Sequence, residues 1–138
     1  MVTLLAPEEL KKQLTLAGSK IQRARGSFLF RRGDDVTGVF LVVKGKVSLS
    51  LDRIPTSLPT RELGPGSVLG LPAALSDSPY SLSAEVTSEA ELVYLPRQDL
   101  LDLLRDHSKL CFEVMTILSD ELGESRNALS RVRKVRAR

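Results

Sequence analysis

A single cysteine, Cys111, and a single histidine, His107, are all that this 138-residue chain offers of the two residue types that most often build metal and redox centres. One cysteine excludes an intrachain disulfide and any four-cysteine zinc or iron–sulfur site. One histidine excludes the imidazole clusters of zinc hydrolases and metal-binding cupins, and no axial-ligand pair recommends haem. Catalytic groupings are equally thin. His107 lies between Asp106 and Ser108 at what reads as a helix start, where a capping or surface role suits it, and no nucleophile–base set gathers around it. Asp77 is the only acid between Gly66 and Ala84, and general acid–base work calls for a pair of tuned groups. No enzyme is expected.

Long apolar runs are also lacking. None approaches the ~20 residues needed to cross a bilayer, and the N-terminus MVTLLAPEELKK carries acids where a signal peptide needs a basic and then an apolar start. A cytoplasmic protein without a membrane partner is the expectation. The most consequential absence is local. GSVLGLPAALSDSPYSLSAEV, residues 66–86, has the glycine and proline punctuation of a loop that wraps an anion, yet it contains neither lysine nor arginine.

What is present is ordinary for a soluble globular chain: 42% hydrophobic and 27% charged residues. The length suits one domain, residues 1–138, with roughly two-thirds of the unfolded surface buried around one core. The net charge of +3 is unevenly placed, because Arg126, Arg131, Arg133, Lys134, Arg136 and Arg138 crowd a final stretch that holds no acid. The body is near neutral and the basicity belongs to the tail.

Three textures follow one another along the chain. In residues 1–20, Pro7 followed by Glu8 and Glu9 suits a first helical turn, Leu10 and Leu14 follow at helical spacing, and Gly18 is the stop. Residues 21–95 are short apolar runs cut by turn residues. Phe28 to Phe30 precedes Arg31-Arg-Gly-Asp34, and Val39 to Val43 precedes Lys44-Gly45. Lys46 to Leu51 then alternates, so Val47, Leu49 and Leu51 are expected on one face of a half-buried strand. DRIPTSLPT, residues 52–60, reads as a loop, Leu63-Gly-Pro-Gly66 as a tight turn, and Leu82 to Val86 and Ala90 to Leu95 as later strands. Short strands with turn signals between them point to a β-sandwich or barrel.

Residues 97–138 turn helical. Leu100, Leu101, Leu103 and Leu104 predict a short helix, with Asp106 or Ser108 as the cap of a second. That second helix carries a seam of Cys111, Met115, Leu118, Leu122, Ser125, Leu129, Val132 and Arg136, spaced alternately by four and three. Its first turns, where Leu110, Val114 and Ile117 are also apolar, suit packing on the domain's own core. After Gly123 the apolar residues thin to one stripe, too narrow to cover a core but able to form a two-helix seam. A homodimer through Met115, Leu118, Leu122, Ser125, Leu129 and Val132 is the expectation.

Taken in order, GSFLFRRGDD (26–35), FLVVKGKV (40–47), ELGPGSVLG (62–70) and PYSLSAEV (79–86) resemble the cyclic-nucleotide-binding domain of the Crp/Fnr regulators and of protein kinase A regulatory subunits. The resemblance spans roughly residues 5 to 130. It implies an α+β, mainly β fold: an eight-stranded antiparallel, jelly-roll-like β-roll with a short N-terminal helix and a long C-terminal dimerisation helix. It implies turns at Gly33 and Gly45 that need positive φ, and Gly66 and Gly70 bracketing the approach to a phosphate-binding cassette over 66–84.

In ligand-binding relatives that cassette is a short helix whose N-terminal amides, with an arginine, hold the cyclic phosphate, while a glutamate takes the ribose hydroxyl. Here Leu71 follows Gly70 where the glutamate belongs, and Tyr80 follows Pro79 where the arginine belongs. A charged hydrogen bond contributes about 1.5–3 kcal/mol, so its loss costs about one to two decades of affinity. Tight binding of a cyclic nucleotide in the usual mode is not expected.

Three readings follow. In one, a remodelled pocket takes a cyclic nucleotide or other small effector through Gly70, Leu71, Ala73, Tyr80, Ser81, Ser83 and Ala84, with Arg126 reaching in from the long helix. In the second, Tyr80 and the leucines fill a dead pocket and the domain is a ligand-independent dimerisation or docking module. In the third, the tail RVRKVRAR neutralises nucleic-acid phosphates; a basic helix end is as readily a solvated one, and direct DNA contact by this chain is not expected. The winged helix-turn-helix that follows the long helix in the family is not among these 138 residues, so control of transcription would run through a partner or through a longer regulator.

Overall fold

The computed structural model describes residues 8–51, 61–111 and 114. A helix opens it, α1 (Glu8–Ala17), with Glu8 and Glu9 in the first turn and Leu10 and Leu14 buried. Gly18 donates its N–H to the Leu14 carbonyl at 2.8 Å and ends the helix where the sequence predicts. The strands β1 (Ser19–Arg23), β2 (Phe28–Phe30), β3 (Gly38–Ser50), β4 (Arg61–Leu63), β5 (Val68–Leu69) and β6 (Ser83–Pro96) follow, with the short helix α2 (Leu71–Ser76) before β6 and α3 (Arg97–Asp106) after it.

All strand pairs are antiparallel, in the order β1-β6-β3-β4, with β2 added on β6 and β5 on β3. Among the described residues there are six strands, where eight are expected for the whole roll. The runs that the sequence separates at Lys44-Gly45, and again between Val86 and Ala90, are continuous: β3 and β6 form one long ribbon paired from Gly38↔Pro96 to Ser50↔Ser83. The expected hairpin at Gly45 is a bulged bend inside that ribbon. Gly45 takes φ +91°, and a Cβ there would collide with the Glu89 carbonyl oxygen, so glycine is needed both for the backbone angle and for the close approach.

The bulges also reset which side chains point inward. On β3 the inward positions pass from Phe40 and Val42 to Val47 and Leu49, across register shifts between Val42 and Val47. On β6 Ala84, Val86, Ala90 and Leu92 stay in step. The result is a bent ribbon whose two halves face each other around one interior. Leu51 does not join Val47 and Leu49 on that face: it follows the end of β3 and is 59% exposed.

Alternation splits the apolar residues into two cores. Val39, Leu41, Val93 and Leu95 face outward, under Leu10 and Leu14 of α1 and Leu100 and Leu104 of α3. Phe30, Phe40, Val42, Val47, Leu49, Leu69, Ala84, Val86 and Leu92 fill the roll. Beyond α3 the boundary residue is His107, not Asp106 or Ser108. It sits at the C-cap of α3, and its carbonyl accepts from Leu110 N–H at 3.0 Å and Cys111 N–H at 3.2 Å, so it opens the next helix through its backbone. Leu110 and Val114 of that helix are buried in the outer core. The seam from Met115 to Val132, and with it the dimer, lies outside the described residues.

Candidate functional site

The cassette is built between β5 and β6. Gly70 caps α2 with φ 91° and ψ 5°, and its carbonyl accepts from Ala74 N–H at 3.0 Å. A Cβ on Gly70 would lie 3.1 Å from the Gly38 carbonyl oxygen and 3.2 Å from Cε1 of Tyr80. Pro72 occupies the first turn, where a missing N–H costs nothing. After Ser76 the chain reverses at Asp77, in left-handed conformation at φ 53°.

Leu71 and Tyr80 both turn inward. Leu71 is 1% exposed, in the outer core beside Val39, Leu41 and Leu95. Tyr80 is 3% exposed in the roll interior, its ring stacked on Phe30 at 3.9 Å between centroids and 9° between planes. Its hydroxyl is taken up by backbone. Thr37 N–H donates to it at 3.1 Å and Gly38 N–H at 3.2 Å, and it donates to the Gly38 carbonyl at 2.8 Å. The Tyr80 main chain is fixed as well, accepting from Gly33 N–H at 2.8 Å and donating to the Asp34 carbonyl at 3.0 Å.

Thr37 is the hub of this arm. Its carbonyl accepts from Arg97 N–H at 2.9 Å and from the Tyr94 hydroxyl at 3.1 Å. Arg97 in turn donates its Nε–H to the Ala74 carbonyl at 2.6 Å and stands 3.9 Å from the Asp77 carboxylate. The cassette helix, the turn before β3 and the start of α3 are thereby one hydrogen-bonded unit.

The far arm of the cassette differs. Ser81 is exposed and Leu82 half-buried, while Ser83 is 1% and Ala84 0% exposed. Ala84 pairs with Leu49 on one side and Phe30 on the other. Ser83 Oγ accepts from the backbone N–H of Arg32 at 2.9 Å. The Arg32 guanidinium extends to the Leu51 carbonyl at 3.1 Å, across the end of the ribbon where Ser50 faces Ser83.

The structure brings Gly70 against Tyr80 and places Ala73, Tyr80 and Ala84 in one core, with Leu71 in the other. Leu71, Ala73, Tyr80 and Ala84 are core, Gly70 is a backbone device, Ser81 is on the surface, and Arg126 lies outside the described residues. Arg32, Thr37 and Arg97 were not legible as cassette residues: Arg32 and Ser83 are 51 positions apart, and Thr37 and Tyr80 are 43 apart. Elsewhere, Glu9 has its carboxyl held below the ordinary range by the Gln13 amide, 2.9 Å away; it belongs to α1. Among the described residues no three His, Cys, Asp or Glu side chains group as a metal site.

Comparison with known proteins agrees with this architecture. Residues 20–107 match the family described as cyclic nucleotide-binding domain. The cyclic AMP receptor protein of Thermus thermophilus is 33% identical over 125 residues, which cover 88% of this chain and 56% of that protein. The crystal structure of the Thermus thermophilus catabolite activator protein superimposes with a TM-score of 0.74 at 30% identity, covering 93% of this chain and 60% of that one. A structure from work on a cyclic-GMP-dependent signalling pathway that regulates bacterial phytopathogenesis gives 0.71 at 27% identity, covering 91% and 97%. The chain thus spans little more than half the length of the Thermus relative.

Proposed function

The chain belongs to the cyclic nucleotide-binding domain family, as a regulatory domain of Crp type, and from that premise we propose that it senses a small effector through a remodelled cassette. The carrying observation is the division of the cassette. Its frame is retained, with glycine-capped α2 between β5 and β6, while Leu71 and Tyr80 are built into the cores. An effector bound here is held by the Ser83 arm and not by a glutamate and arginine at positions 71 and 80. The two relatives named for cyclic nucleotides, cyclic AMP in one and cyclic GMP in the other, make these the first effectors to try.

The signal would leave through α3 and the helix after it, because Arg97 ties the start of α3 to the cassette helix. Dimerisation through Met115, Leu118, Leu122, Ser125, Leu129 and Val132 is part of the proposal, supported by the heptad spacing of these residues. So are a role in transcription and a cytoplasmic setting, on the model of the Crp relatives. No catalytic step is proposed. Among the described residues no helix is long and apolar enough to cross a membrane.

Thermal-shift measurement against cyclic AMP, cyclic GMP, cyclic dinucleotides and small organic acids tests the reading. A ligand at a hundredfold excess over Kd stabilises by about 2.7 kcal/mol, a shift of several degrees for a domain of this size. A second reading, a ligand-independent docking module, is favoured by the buried Tyr80 hydroxyl, which accepts from Thr37 N–H and Gly38 N–H and donates to the Gly38 carbonyl. A flat response to every compound would select it.

A further inference from the structure

We propose that the cassette helix α2, the start of β3 and the start of α3 are held together by a latch that the chain closes with its own groups, Tyr80 at one end and Arg97 at the other. The latch keeps α3 against the cassette whether or not an effector is bound, so an effector acting through α3 would have to open it. It goes beyond the sensing reading and stands independently of it.

The contacts form a closed circuit. Ala74 N–H donates to the Gly70 carbonyl at 3.0 Å and closes the first turn of α2. Gly70 lies on the edge of the Tyr80 ring, so close that a Cβ there would come within 3.2 Å of Cε1. From the ring the circuit runs through the Tyr80 hydroxyl to the amides of Thr37 and Gly38, and from the Thr37 carbonyl to Arg97 N–H at 2.9 Å. The Arg97 side chain returns it to α2, where Nε–H donates to the Ala74 carbonyl at 2.6 Å.

Both ends are fixed. The Tyr80 hydroxyl accepts from two amides and donates to the Gly38 carbonyl, which fills the one donor and two acceptor sites of a phenol. Its ring is stacked on Phe30, so the hydroxyl cannot swing to solvent without unstacking. At the other end, Ala74 lies in the last four residues of a six-residue helix, where carbonyls have no partner within the helix. The Arg97 guanidinium caps it, and a bond from a charged donor is the stronger kind. The Asp77 carboxylate, 3.9 Å from Nε and largely exposed, adds little. Each bond orders the groups that make the next, so the circuit should open as one unit and not bond by bond.

The test is hydrogen exchange of the full chain without added ligand, read residue by residue by NMR. In wild type the amides of Thr37, Gly38, Ala74 and Arg97 should share one opening. Tyr80→Phe removes the acceptor of Thr37 and Gly38 only, yet it should quicken Ala74 and Arg97 by the same factor, about tenfold. Arg97→Met removes the donor to Ala74 and should quicken Thr37 and Gly38 about two- to tenfold; it keeps the latch testable should Tyr80→Phe fail to fold. Arg97→Lys should restore part of the protection. Asp77→Asn, which tolerates the same left-handed backbone, should change the rates by less than about twofold. Val86, whose N–H donates to the Ser27 carbonyl in the far half of the ribbon, reports on global opening and should keep its rate. Quickening confined to amides that lose their own partner, or shared equally by Val86, overturns the latch and leaves the sensing reading standing. A flat thermal-shift response to every compound removes the sensing reading and leaves the latch.

Discussion

The two arms of the cassette are made of the same kinds of residue and do different things. From Gly70 to Tyr80 the chain buries Leu71, Ala73, Ala74 and Tyr80, and the Tyr80 hydroxyl is bound by Thr37 and Gly38. From Ser81 to Ala84 the chain keeps a buried hydroxyl whose acceptor role is met by a backbone amide, next to a guanidinium at the surface. The first arm is packed into the two cores. The second ends in a buried hydroxyl held by the backbone of the turn after β2. Leucine at position 71 and tyrosine at position 80 are packed, and the surroundings of the tyrosine satisfy its hydroxyl.

Several substitutions would break that contrast. Tyr80→Ala removes a ring stacked on Phe30 and strands Gly38 N–H in the interior. Chemical denaturation should register a loss of about 3–5 kcal/mol. Leu71→Glu places a carboxylate at a site 1% exposed among Val39, Leu41 and Leu95. If the first arm is core, the variant should lose several kcal/mol, and tolerance of the charge would mean that position 71 faces a pocket after all.

Smaller changes sharpen the contrast. Tyr80→Phe keeps the stacking and leaves two backbone N–H groups without their acceptor, for about 1–3 kcal/mol, and hydrogen exchange at Thr37, Gly38 and the first turn of α3 should quicken. Gly70→Ala, at φ 91° with the Gly38 carbonyl oxygen 3.1 Å from the new Cβ, should cost about 1–2 kcal/mol in a thermal melt.

Much of the fold was legible from local signals. The end of α1 follows from Gly18, and the positive φ expected at Gly33 and Gly45 is present, at Gly45 inside a bent ribbon and not a hairpin. The continuity of β3 and β6 was not legible. Lys44-Gly45-Lys46 and Thr87-Ser-Glu89 are polar because they form the outside of a bend, and polarity with glycine reads locally as a turn. Leu51 was misassigned since strict alternation carries no mark of where a strand ends.

The cassette was legible as a frame but not as a division of labour. Nothing in Pro79-Tyr-Ser81 says that the tyrosine points inward; its partners lie on the turn before β3, and only the folded ribbon brings them together. The same holds for Arg32, a residue of an ordinary-looking Arg-Arg-Gly-Asp turn until β2 and β6 pair and set it against Ser83. The dimer seam and Arg126 fall on residues outside those described, so the heptad spacing alone argues for them.

The most direct test of the account compares two variants in one titration, using whichever of cyclic AMP, cyclic GMP or phenylacetate binds the wild-type chain. The account predicts that Tyr80→Phe, though less stable, binds the probe within about threefold of wild type, whereas Ser83→Ala loses about tenfold or more. The reverse pattern, binding lost with the Tyr80 hydroxyl and kept without the Ser83 hydroxyl, would contradict it.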